Sequence, residues 1–155
     1  ISAGTRGLYA RRMRTTNAAV INNSTVLVSD ATLTVPLDVT GVFRYYGRIY
    51  YSCATAADIK AAFTFPAVAA NGARWGAIGR EAATPTNVET YVADGSGVVA
   101  ILGGTGVAGI QFFDFDGFIN TTATGNLVTQ YAQNTANVSD LTVRFGSWLE
   151  VVKVG

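Results

Sequence analysis

The chain has 155 residues, a size that one domain accounts for, and area scaling expects about 7,400 Å² of folded surface against about 23,500 Å² for the open chain. Only 14% of the residues are charged, 49% are hydrophobic and the net charge is +1, so neither a nucleic acid nor a membrane is electrostatically favoured as a partner. Histidine is absent and cysteine occurs once, which excludes His-based triads, Cys-His dyads, His-ligated zinc and an intrachain disulfide framework.

So few charges leave a monomer short of polar surface, and the composition suits a chain covered in part by identical subunits. Residues 1–24 show no apolar period and hold Arg6, Arg11, Arg12 and Arg14, with no acidic residue before Asp30. They read as an extended basic N-terminal arm whose arginines dock on a neighbouring protein surface, or as an arm lying along its own domain. The domain proper is then 25–155.

Within it, 25–35 alternates with a bend at Ser29-Asp30, and 41–53 (GVFRYYGRIYYSC) is the strongest strand. Phe43, Tyr45, Ile49 and Tyr51 fall on its apolar parity, Arg44, Tyr46, Arg48 and Tyr50 on the other. The second parity either forms a ligand-stacking platform, with Tyr46 and Tyr50, or pairs across strands with Asp or Glu. Strands are also expected at 59–66, 89–93, 97–102, 107–121 and 126–133, with a hairpin turn at Asn71-Gly72 near Trp75. Residues 141–154 read as one long final strand with a bulge at Gly146, putting Phe145 on the same side as Leu141 and Val143. The uncharged run 95–113 is long enough to raise the question of a membrane span, but its six glycines fit two strands and a turn, so no membrane insertion is expected. No amphipathic helix of useful length appears. The fold class is all-β, a single antiparallel sandwich or barrel of about eight strands.

The motifs that could carry chemistry are weak. Residues 104–109 match G-x-G-x-x-G, yet the sequence that follows is aromatic and strand-like where a dinucleotide site needs a helix start. Asp114 and Asp116 share a strand face, a spacing open to a glycosidase pair or a hard cation, and equally to a polar strand edge. Cys53 lies on an apolar parity and reads as a small buried hydrophobe. Asn22, Asn23, Asn120 and Asn137 each begin an N-x-S/T triplet. No catalytic residue, metal ligand or cofactor-binding residue emerges.

The runs TVLVSDATLTVPLDVTGVFRYYGRIYYSC, AADIKAAFTFPA and GNLVTQYAQNTANVSDLTVRFGSWLEVVKV resemble a β-sandwich domain of tailed-bacteriophage structural proteins. Tyr131-Ala132-Gln133-Asn134-Thr135 and Phe145-Gly146-Ser147-Trp148-Leu149 carry most of that likeness. The resemblance implies a jelly roll similar to the tumour-necrosis-factor (TNF) and C1q heads, displayed as a homotrimer on the virion surface. That protein would be non-enzymatic and cofactor-free, a tail fibre, head fibre or capsid decoration protein that meets neighbouring virion proteins and a host surface glycan or receptor. It implies Phe112 and Trp148 at the threefold contact, with Phe113 and Phe145 in the core. The alternative is a lectin-like module stacking sugar on Tyr46, Tyr50 or Trp75.

Overall fold

A computed structural model describes residues 7–81, 88–93 and 95–155. The strands are β1 (Gly7–Met13), β2 (Val28–Leu37), β3 (Gly41–Cys53), β4 (Ile59–Thr64), β5 (Val68–Arg80), β6 (Val88–Ala93), β7 (Val99–Leu102), β8 (Gly106–Thr121), β9 (Gly125–Gln133), β10 (Thr142–Val143) and β11 (Trp148–Lys153). No helix occurs among the described residues. One sheet runs β1-β11-β3-β8-β5-β6, with β10 also beside β3; the other runs β2-β9-β4-β7.

Every pairing is antiparallel, and the pairs are nested: β1 with β11, β2 with β9, β3 with β8 and β4 with β7. A long hairpin rolled on itself gives this order, which is the jelly roll. The β5–β6 hairpin is added to it and widens the larger sheet beyond β8. The expected all-β sandwich is therefore the observed one.

Alternation decides which side chains fill the gap between the sheets. On β3, Phe43, Tyr45, Ile49 and Tyr51 are all buried, facing Leu33, Val35 and Leu37 of β2 and Phe63 of β4 within one core. Phe63 is the hub of its aromatic part, with ring centroids 4.7 Å from Phe115, 5.0 Å from Trp75 and 5.2 Å from Tyr45. Phe113 is in this core, as expected, and the folded surface is 7424 Å².

Of the two readings of the N-terminal arm, the described part follows the second: from Gly7 it lies along its own domain as the edge strand of the larger sheet, and Ile21 bridges to Leu141. Three expectations change. Arg14 turns inward, its Nη1 donating to both oxygens of Asp30 at 2.7 Å, so it is unavailable for docking elsewhere. The final run breaks into β10 and β11, because Gly146 takes φ +86° and Ser147 Oγ donates to the Arg144 carbonyl. That turn inverts the parity and leaves Phe145 63% exposed, outside the core. Asn71, at φ +55°, sits in a bulge of β5 between Val68 and Ala73 and makes no hairpin, since both flanks pair with β8.

Candidate functional site

The outer face of the larger sheet gathers most of the side chains singled out from sequence. Register sets them in rows across the strands. One row runs Met13, Trp148, Arg48, Asp114, Ile78, Thr90; the next runs Arg11, Glu150, Tyr46, Asp116, Gly76. Above them Tyr50 faces Phe112, and below them Val152, Arg44 and Phe118 line up.

The charges in these rows are matched within the chain. Arg48 Nε and Nη2 donate to the two oxygens of Asp114 at 2.6 and 2.8 Å. Arg44 Nε donates to both oxygens of Asp116, and its Nη2 donates to Oδ2. Hydrogen bonding first, then the neighbouring negative charge, pushes the Arg44 guanidinium further up its already high range, and the hydrogen bond to Asp114 does so for Arg48. Each guanidinium also lies over rings: Arg48 is 3.9 Å from the Phe112 centroid, Arg44 is 5.2 Å from that of Tyr46, and Arg11 is 5.6 Å from that of Trp148. Tyr46 donates its hydroxyl to Glu150, which raises the phenol's pKa, and its ring meets Trp148 edge-on at 6.0 Å.

Between the Trp148–Tyr46 side and the Ile78–Thr90 side runs an open groove of about 680 Å³, with Gly76 in its floor. Its carboxylates have spent both oxygens on guanidinium N–H groups, which leaves them poorly placed as acids, bases or ligands. Among the described residues no group of three or more Cys, Asp or Glu comes together as a metal site. What the rows offer is an aromatic surface with its charges already neutralised and its guanidinium groups held still.

The opposite face of the sandwich differs. Its rows, such as Thr34–Val128–Thr64 and Gln130–Ala62–Val99, carry no aromatic side chain. The two faces of one domain are thus chemically unequal.

Tyr46, Tyr50, Phe112 and Trp148 all lie on the aromatic face, Phe112 being 45% exposed. Trp75 does not: it is 1% exposed and packs edge-on against Phe63, so it cannot stack on a sugar. Arg11 joins the face, Arg12 donates to the Arg11 carbonyl at the sheet edge, and Arg6 lies outside the described residues. Phe118, Ile78 and Glu150 were not singled out from sequence. The even-numbered parity of β8, already carrying Phe112, Asp114 and Asp116, was the signal for Phe118.

No family model matches the chain, and no curated protein matches it. Solved structures similar to it include the infectious bursal disease virus VP2 subviral particle, at 8% identity and a TM-score of 0.27, covering 97% of this chain and 40% of that one. Structures of the Gx strain (10% identity, TM-score 0.24, 97% and 39% covered) and the Gt strain (10%, 0.25, 97% and 41%) of that virus are also similar. This chain thus spans about two-fifths of the length of each. Likenesses at these TM-scores assign no family.

Proposed function

We propose that the chain is a non-enzymatic structural protein of a tailed-bacteriophage virion, a homotrimeric jelly-roll knob on the particle surface. The virion assignment rests on the resemblance carried by residues 131–135 and 145–149. Self-association rests on one observation above all, the aromatic face on which Arg44 and Arg48 are each neutralised by an aspartate of the same chain, and its threefold order rests on the resemblance.

A face of that kind suits a second copy. The Arg44–Asp116 and Arg48–Asp114 pairs enter the contact already formed, so their burial leaves neither charge to be matched, and Tyr, Trp and Arg are the side chains that anchor interfaces. Strand spacing and rise give the face about 29 by 27 Å, on the order of 800 Å². That equals what each partner brings to a standard stable interface. The same saturation argues against the lectin-like alternative, because Tyr46 and Glu150 bond to each other and Arg48 covers Phe112. Attachment to neighbouring virion proteins then falls to Arg12 and to the segment before Gly7, which carries Arg6.

Light scattering at micromolar concentration should return three times the chain mass, and Trp148→Asp should return the monomer with its circular dichroism spectrum intact. A monomeric wild-type protein would overturn the trimer, and particles lacking the chain would overturn the virion assignment. Asp114→Asn with Asp116→Asn should abolish no catalytic activity and cost the single subunit little stability, since both pairs are part-exposed, while weakening self-association by leaving Arg44 and Arg48 unneutralised.

A further inference from the structure

Arg44 and Arg48 have acidic partners in their own chain, and Arg11 stands directly across from Glu150. Arg144 has none. Val143 pairs with Tyr51 and points into the core, so Arg144 turns to the outer face, where its side chain covers Ser52. Its Nε and Nη2 donate to Ser52 Oγ at 3.0 and 2.6 Å, and Nη2 reaches the Val107 carbonyl at 3.4 Å. Ser52 is 1% exposed, so the group that holds the guanidinium is itself fixed in the sheet.

The backbone is equally fixed. The Arg144 N–H donates to the Tyr50 carbonyl at 2.8 Å, and its own carbonyl accepts from Ser147 Oγ at 2.8 Å. A guanidinium has five N–H groups, and the two on Nη1 find no acceptor among the described residues. Its backbone is bonded to Tyr50, which faces Phe112 at the upper end of the aromatic face, and the exposed Phe145 follows it in the chain.

We infer that Arg144 is the anchoring hydrogen-bond donor of the self-contact, its Nη1 group donating to a carbonyl or carboxylate oxygen of a second copy of this chain. The inference rests on the proposal that this face is the self-association surface, and it names what that surface still lacks. Burying the face against a partner without such an acceptor would strand two charged N–H groups, which costs more than a neutral hydrogen bond returns. A flexible arginine could swing back to water. This one is held by Ser52, Val107 and a rigid turn.

The test is sedimentation of the full chain over a concentration series, with circular dichroism confirming that each variant is folded. Arg144→Met should raise the concentration of half-dissociation at least about tenfold, as expected for a lost charged hydrogen bond. Arg144→Lys keeps the charge without the fork and should fall between wild type and Met. Ser52→Ala, which frees the guanidinium, should weaken association while leaving Arg144 present. Arg12→Met removes the same charge from the sheet edge and should change nothing. A trimeric wild type with an unaltered Arg144→Met or Arg144→Lys trimer overturns this inference and leaves the self-association surface standing. A monomeric wild type overturns the surface itself, and Arg144's role with it.

Discussion

Replacing Arg14 by methionine tests how the N-terminal segment holds the two sheets together. Arg14 follows β1, an edge strand of the larger sheet, while Asp30 lies in β2 of the smaller one. The Asp30 side chain is fully buried and that of Arg14 is 11% exposed. Tyr131 Oη and the backbone N–H groups of Thr32 and Leu33 also donate to the carboxylate. Met keeps most of the packing but removes the counter-charge from a buried anion, a loss of about 3–5 kcal/mol. The three remaining donors place this case at the lower end, about 3 kcal/mol. With about 2.1 cal/mol/K of unfolding entropy per residue, a chain this long loses about 10 °C in Tm. Thermal melts of Arg14→Met, Asp30→Asn and the double variant form a cycle, in which the double should be clearly more stable than the two losses added. A fall of less than about 2 °C for Arg14→Met, or strict additivity, would refute the account. For the same reason, deleting residues 1–14 should destabilise the whole domain rather than trim an appendage.

Burial first, and the charge of Asp58 second, push the Cys53 thiol up to about 12, and its Sγ donates to the Asp58 carbonyl. A thiol reagent at about pH 8 should therefore label Cys53 only as fast as the protein unfolds; prompt stoichiometric labelling would contradict this. Burial also holds the Asp58 carboxyl above its ordinary range, partly opposed by the Gly104 N–H. A raised folded pKa means the protonated form suits the fold better, so the cost is absent at low pH and appears as pH rises through the carboxyl range. Asp58→Asn, which tolerates the φ of +52° at this position, should raise the urea midpoint at about pH 7 and lose that gain by about pH 3. A less stable variant at neutral pH would sink the argument.

The regular strands were legible because their alternation is uninterrupted. β3 and β8 read correctly residue by residue, including the possibility that Arg44 and Arg48 pair across to acidic side chains. The N-terminal strand was not, since its register shifts between Leu8 and Ala10 and its apolar positions follow no single period. Arg14 looked like its neighbours because the partner that draws it inward is sixteen positions away in sequence. Phe145 was misplaced by one turn: a glycine that bends the chain and a glycine that bulges a strand look alike in a sequence. The two tryptophans, Trp75 and Trp148, share a strand-like context, and only the register of β5 against β8 puts the first in the core and that of β11 against β3 the second on the face.

The nested pairing of the jelly roll also governs the order in which the chain can become ordered. β1 pairs with β11 across almost the whole length of the sequence, and β3 waits for β8 on one side and β11 on the other. Contacts so distant in sequence must overcome loop-closure entropy before they return anything, which places such a domain among the slow, millisecond-to-second folders. During synthesis β3, with Phe43, Tyr45, Ile49 and Tyr51, is made long before either neighbour. Its apolar edge is then open to aggregation until the last strand leaves the ribosome. A shortened C-terminus would therefore harm yield more than its small share of the core suggests.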